Sequence, residues 1–309
     1  MGCRYFDAHC DTILKVAQTG GTLAHNPYHV SLERLSVYEC ASQVFAIFNE
    51  GNLNKFEILS LVEMIQKQSG DAFVTDYREV GNKKISALIS IEGLGNQPGF
   101  TVDDIEEYAR SGVKMMSLTW NQDNPLCGGI GENKNGLTHM GKLALDHMDK
   151  NNTILDVSHC SERGFWDMAE YWKNPIVATH SNARAVCNHP RNLTDEQLKT
   201  IFSSGGMVGI NLYPFFLNGT NVANVDDVVR HIAHILSLGG ENHIGIGADF
   251  DGIEVTMTDV TSADKMPILF ERLLHDNYKE SFIQRLFYGN FDDFFKKYEF
   301  FGQKTCIVD

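Results

Sequence analysis

Eight times along the chain a short, nearly continuous apolar run gives way to a helical pattern, and this alternation constrains the fold more than any other feature. The runs are Tyr5–Ala8, Ser42–Phe48, Ile85–Ile91, Val113–Thr119, Thr153–Val157, Pro175–Thr179, Met207–Leu212 and Ile244–Ala248. Several are rich in Val, Ile and Phe without polar alternation, as expected of strands covered on both faces. Strands separated by helices must pair in parallel, and eight such units point to an α/β fold closed as a (β/α)8 TIM barrel. Periodicity alone does not establish closure, so an open doubly wound sheet is the alternative. A length of 309 residues suits one barrel. Residues 1–309 are therefore expected to form one barrel domain, with a helical tail from about 264 to 309 packed on its outside.

The expected helices have readable ends. Thr194-Asp195-Glu196-Gln197 is a capping box; Leu198, Ile201 and Phe202 follow on one face, and Gly205-Gly206 stops the helix. Thr101 is expected to cap a second helix with a stripe of Val102, Ile105, Tyr108 and Ala109. Val228, Val229, Ile232, Ile235 and Leu236 mark a third. Segments 20–41 and 120–142 lack periodicity and read as long βα loops.

Polar residues gather where the strands end. Strand one runs into Asp7-Ala8-His9-Cys10-Asp11, strand three into Glu92-Gly93, and strand five into Asp156-Val157-Ser158-His159. Strand six runs into Thr179-His180-Ser181, and strand eight into Ala248-Asp249-Phe250-Asp251-Gly252. In a barrel all C-terminal strand ends open on one face, where active sites sit. His9 and Asp11, two apart, are expected to point the same way. Imidazoles and carboxylates converging in a partly dry cavity would be costly without cations, and mixed nitrogen and oxygen donors suit zinc. The placement gives two ions, with His9 and Asp11 on one, His159 and His180 on the other, and Glu92 bridging. Such a pair would activate a water between the ions. Cys10 and Cys160 adjoin these ligands and are expected to point away as small buried hydrophobes.

With those residues in place, the chain resembles the membrane dipeptidase (renal dipeptidase) family of zinc peptidases. The resemblance rests on Asp7-Ala8-His9-Cys10-Asp11-Thr12, Ile91-Glu92-Gly93, Leu155–Cys160, Thr179–Ala183, Val186-Cys187 with Arg191–Asp195, and Gly245–Gly252. It implies a metal-dependent hydrolase barrel with two zinc ions per chain, held by His9, Asp11, Glu92, His159 and His180. It further implies that Arg191 binds the substrate carboxylate, that Asp249 handles the catalytic proton, and that Tyr213 lines the substrate pocket. The implied reaction is hydrolysis of dipeptides, with tolerance of a D-residue at the C-terminal position. One position departs from the pattern, since Trp120 stands where the vertebrate enzymes carry a substrate-contacting histidine. Trp120 is expected to form an apolar wall, with Asn121 or the metal supporting the oxyanion; otherwise it turns outward and packs under the Gly-rich loop that follows.

Two other readings use the same residues: a deaminase or lactonase type of amidohydrolase on this barrel, or a metal-bearing binding protein without catalysis. His-x-Asp with Glu92, in place of His-x-His with a bridging lysine, disfavours the first. The proton-handling Asp249 disfavours the second. A formal net charge of −14, from 40 acidic and 26 basic side chains, disfavours nucleic acid and anionic membranes as partners. Seven scattered cysteines without C-x-x-C spacing fit reduced thiols, and no basic, apolar leader precedes Asp7, so the expected setting is cytoplasmic. A homodimer is compatible with all of this. Cys306-Ile307-Val308-Asp309 has the shape of a prenylation box, although Asp is a poor final residue.

Overall fold

The computed structural model describes residues 3–132 and 134–298; the Cys306–Asp309 box lies outside them. The eight strands are β1 (Arg4–Cys10), β2 (Cys40–Phe48), β3 (Ile85–Glu92), β4 (Val113–Ser117), β5 (Ile154–Asp156), β6 (Ile176–Ala178), β7 (Met207–Ile210) and β8 (Ile244–Ile246). They pair in parallel in sequence order and close into a barrel. Closure rests on the pairing of Asp7 in β1 with Ile246 in β8. The open-sheet alternative is thereby excluded.

Around the barrel run α1 (Thr12–Thr19), α2 (Lys55–Ser69), α3 (Asp104–Arg110), α4 (His139–Lys150), α5 (Glu162–Tyr171), α6 (Asp195–Ser203), α7 (Val225–Ser237) and α8 (Pro267–His275). The capping box of α6 forms as read: Gln197 N donates to Thr194 Oγ1 and Thr194 N to Gln197 Oε1. Each such cap stabilises a helix start by about 1 kcal/mol. Thr101 behaves differently. Its backbone N–H and its hydroxyl both donate to the Asp104 carboxylate, and α3 begins only at Asp104.

Segment 120–142 does follow β4, and its last residues open α4. Segment 20–41 instead follows α1, so it is an αβ connection rather than a βα loop. It nevertheless reaches the C-terminal face, because His29 N donates to Asp251 Oδ1 at 3.0 Å. Thr12 Oγ1 donates to the other oxygen of Asp251 at 2.5 Å, so this buried carboxylate ties the loop to the mouth.

The sequence pattern puts the tail on the outside, and α8 packs there. The final helix, α9 (Asn290–Tyr298), does not. Its Phe291, Phe294, Phe295 and Tyr298 form one buried cluster with Phe6, Ala8, Val44, Leu88, Met115, Ile154, Val177 and Met207 from the strands. The Phe6 ring lies 5.3 Å from Phe291 and 5.2 Å from Phe295. The tail thus closes the N-terminal end of the barrel with aromatic rings. Gly245 in β8 makes room for it, since a Cβ there would meet Phe291 Cδ2 at 2.3 Å. With that end filled by side chains, the C-terminal face is where a barrel places its site.

Candidate active site

Strand ends deliver the polar residues to that face, and irregular backbone aims them. The β1–β2 register shifts between Asp7 and Cys10. Phe6 and Ala8 accordingly belong to the sealed end while His9 reaches the mouth. Asp11 stands past the strand as the residue before α1. The two meet, with His9 Nε2 3.3 Å from Asp11 Oδ2, through a strand irregularity rather than simple alternation. His159, Asp249 and Asp251 hold left-handed backbone, at φ 69°, 61° and 69°. Non-glycine residues pay about 1–3 kcal/mol for this, and such strain gathers at functional sites.

Glu92, at the end of β3, sits among three imidazoles. Its Oε2 is 3.5 Å from His9 Nε2, and its Oε1 is 2.9 Å from His159 Nε2 and 3.8 Å from His180 Nε2. Donor atoms of His9, Glu92 and His180 lie within 4.8 Å of one another, as do those of His9, Asp11 and Asp249. All five residues expected on metals, and Asp249 with them, occupy one cluster, buried except for the partly buried His159.

The hydrogen bonds behind the imidazoles decide which nitrogens are free. His159 Nδ1 lies 2.8 Å from Asn121 Oδ1, which can only accept. His180 Nδ1 lies 2.8 Å from Thr179 Oγ1, whose hydrogen is committed to Asp156 Oδ2 at 2.6 Å. Both rings therefore carry hydrogen on Nδ1 and turn an Nε2 lone pair into the site. Those two Nε2 atoms are 2.8 Å apart, lone pair against lone pair. Both nitrogens of His9, Asp11 Oδ1 and Glu92 Oε1 are buried without a hydrogen-bond partner. Orphaned donor atoms and opposed lone pairs are what a bound cation would satisfy, so the residues fit a zinc-type centre.

Titration behaviour agrees. Burial, with the neighbouring Arg191 charge, brings His159 down to about 4, and burial beside His9 holds His180 well below its ordinary value. Burial alone would lower His9 as well, yet Glu92 and Asp11 raise it well above the usual range. Burial, reinforced by the Asp11 and Glu92 charges, pushes the Asp249 carboxyl up to about 7. Asn211 Nδ2 donates to Asp249 Oδ2 at 2.9 Å.

Arg191 is buried beside the cluster. Its Nη2 donates to His159 Nε2 at 2.9 Å and to the His180 carbonyl at 3.3 Å, while its Nε has no partner. Trp120 stands over the mouth, 6.3 Å from the His159 ring and edge-on to Phe48 at 4.9 Å. Its ring thus lies beside the proposed ligand His159. Asn121 accepts from His159 through its carbonyl oxygen and so positions that ring, while its amide N–H donors are separate from that contact. Tyr213 lies farther out, its hydroxyl donating to Glu254 Oε2 at 2.6 Å and its ring edge-on to Phe216 at 4.9 Å. Cys10 and Cys160 are buried among apolar neighbours.

Sequence reasoning missed several supports. Asp7 accepts from the backbone N–H of both His9 and Ala248, at 3.2 and 2.9 Å, and so holds β1 against β8 at the site. Asp156, Thr179 and Asn211 each orient a site residue. All lie at strand ends, and that position was the available signal; the partner each would choose was not.

A model of the membrane dipeptidase family, peptidase family M19, matches residues 3–306. The chain belongs to that family. Its membership makes it a metallo-dipeptidase type of enzyme. This family member is 33% identical to an uncharacterized protein of Klebsiella pneumoniae over 227 residues, 70% of this chain and 83% of that protein. It is 32% identical to an uncharacterized dipeptidase of Schizosaccharomyces pombe over 62% of this chain, but only 48% of that longer protein. Among solved structures it is similar to a metallopeptidase from Rhodobacter sphaeroides bound to a phosphinate mimic of the dipeptide L-Ala-D-Ala. There the TM-score is 0.85 over 96% of this chain and 99% of that one, and the identity of 22% supports the shared fold. No helix among the described residues of this membrane dipeptidase relative is long and apolar enough to cross a membrane.

Proposed function

We propose that this enzyme hydrolyses dipeptides at a centre of two zinc ions, held by His9 and Asp11 on one side, His159 and His180 on the other, and Glu92 between them. The observation that carries the reading is the Glu92 carboxylate, with one oxygen toward His9 and the other toward His159 and His180. Zinc bound there would supply Lewis-acid polarisation of the scissile carbonyl and acidify the attacking water.

The chain's own groups do the rest. Asp249 takes a proton from the attacking water and delivers it to the leaving amine nitrogen, base and then acid. Its proton affinity is raised by burial, and Asn211 fixes one of its oxygens. Arg191 now donates to a lone pair that a metal would take, so that donor becomes available to a substrate carboxylate. Such a clamp sets the distance from the chain end to the scissile bond and favours dipeptides over longer peptides. Trp120 walls the pocket, and Tyr213 lines its outer part. Tolerance of a D-residue at the C-terminal position is proposed on the resemblance and on the L-Ala-D-Ala mimic bound by the Rhodobacter relative. The proposed setting is the cytoplasm, where reducing conditions suit six described cysteines that are all unpaired.

A substrate panel run at fixed zinc content tests the assignment. Cleavage of L,L- and L,D-dipeptides, without comparable turnover of lactones or amino-purines, is the expected result. Turnover of a lactone or amino-purine in preference to any dipeptide would overturn it.

A further inference from the structure

The rim beyond Arg191 carries a carboxylate that the reaction as described does not use. Glu254 is exposed on the loop after β8. Its Oε2 accepts from the Tyr213 hydroxyl, and no lysine, arginine or histidine among the described residues forms an ion pair with it. A ladder of rings leads from the clamp to this group. Arg191 Cζ lies 5.5 Å from the centre of the Phe216 ring, the Tyr213 ring meets Phe216 edge-on at 4.9 Å, and Tyr213 delivers its hydroxyl to Glu254. From the other side, Tyr213 N donates to Asn211 Oδ1 at 2.7 Å, while the Asn211 amide holds Asp249. Tyr213 and Glu254 therefore flank the space between the clamp and the proton-transfer group, on its solvent side.

We infer that Glu254 selects substrates by the charge of their C-terminal side chain, favouring dipeptides that end in lysine or arginine. The inference rests on the dipeptidase reading of the site. With a substrate carboxylate on Arg191, the side chain of that same residue leaves the clamp along Phe216 and Tyr213. A long cationic side chain then reaches an unpaired carboxylate, whereas a glutamate side chain meets repulsion. Tyr213 keeps Glu254 in place through a neutral O–H donor, which leaves the negative charge uncompensated and available. The pair sits in partial contact with water, so the preference is modest and weakened by salt.

The test measures kcat/KM at low ionic strength for Ala-Lys, Ala-Arg, Ala-Gln and Ala-Glu, in L,L and L,D forms, for the zinc-loaded enzyme and for Glu254→Gln, Glu254→Asp and Glu254→Lys. The parent enzyme is expected to favour lysine over glutamate by about five- to tenfold, with the ratio shrinking at 0.5 M salt. Glu254→Gln should reduce the ratio toward one, Glu254→Lys should invert it, and Glu254→Asp should restore part of it. A structural role alone would scale all four substrates together and leave the ratio where it was. A ratio unmoved by Glu254→Gln, with dipeptides still cleaved, overturns this inference and spares the dipeptidase reading. Failure of the parent enzyme to cleave any dipeptide overturns both.

Discussion

His159 and His180 point their Nε2 atoms at each other across 2.8 Å, with both Nδ1 positions already committed as donors. Neutral imidazoles in that pose repel, and burial keeps both from protonating. A cation is the economical remedy, and the strand ends supply carboxylates to share its charge. Zinc should therefore stabilise the fold as well as serve the reaction, because it binds the native arrangement and little of the unfolded chain. Purified protein should carry about two zinc ions per chain, and Glu92→Ala should lose most of both. Asn121→Ala and Thr179→Val leave the proposed ligands intact but free their rings, and should weaken zinc binding by roughly 10- to 100-fold. Elemental analysis and competitive chelator titration check this. One ion per chain, unchanged in Glu92→Ala, would remove the bridged pair.

Asp249 makes a prediction in which the sign matters. In the metal-free protein burial raises this carboxyl to about 7, against about 3.9 in the unfolded chain. Between those values the folded state holds the extra proton. The stability owed to this group is complete below pH ~4 and is lost as pH climbs through about 7. Asp249→Asn removes that dependence, so the stability of the variant relative to the parent should rise between pH 4.5 and 7.5 once metals are stripped. Urea unfolding of the two proteins measures it. In the zinc-loaded enzyme the same variant should keep its metals and lose at least ~10²-fold in kcat. Full activity in Asp249→Asn would take it out of the proton path.

Arg191 is predicted to read the free chain end. A charge-assisted, paired contact to a carboxylate is worth about 1.5–3 kcal/mol, or roughly ten- to a hundredfold in kcat/KM. Dipeptides should outpace their C-terminal amides by that margin, and Arg191→Ala should close most of the gap. Equal rates on free and amidated dipeptides in the parent enzyme would rule out the clamp.

Legibility in the sequence followed the range of the forces at work. Strand runs and the Thr194–Gln197 capping box are local patterns, and the structure reproduces them. The convergence of His9, Glu92, His159 and His180 was readable because barrel closure brings every strand end to one face. What stayed hidden depended on side-chain choices across long separations. Nothing near Phe291 and Phe295 says that they seal the far end against Phe6, since an amphipathic helix looks alike whether it packs outside a barrel or beneath it. Thr101 could have accepted from the helix backbone, yet it donates to Asp104. The left-handed backbone of His159 and Asp249 is uncommon for any non-glycine residue, though Asp and His tolerate it better than most, and no local sequence pattern marks where the fold will require it.

Trp120 is the position where the chain leaves its family's pattern, and the geometry gives it a test of its own. Its indole lies between Phe48 and the His159 ring and is only partly buried, so it offers an apolar face to whatever occupies the mouth. An indole has a single N–H donor and cannot copy an imidazole in proton or oxyanion chemistry. Its contribution should therefore be contact area, felt by large side chains more than small ones. Trp120→Ala is expected to lower kcat/KM for dipeptides with bulky apolar residues by an amount equivalent to about 1–3 kcal/mol, with a smaller effect on Ala-Ala. Trp120→Phe keeps the face without the N–H and should recover most of the loss. The melting temperature separates this from a packing role. A packing residue would depress it and slow every dipeptide by the same factor, whereas a pocket wall changes the ranking of substrates with little change in melting. A uniform loss accompanied by a lowered Tm would leave the wall without support and make Trp120 a prop for Phe48 at the end of β2.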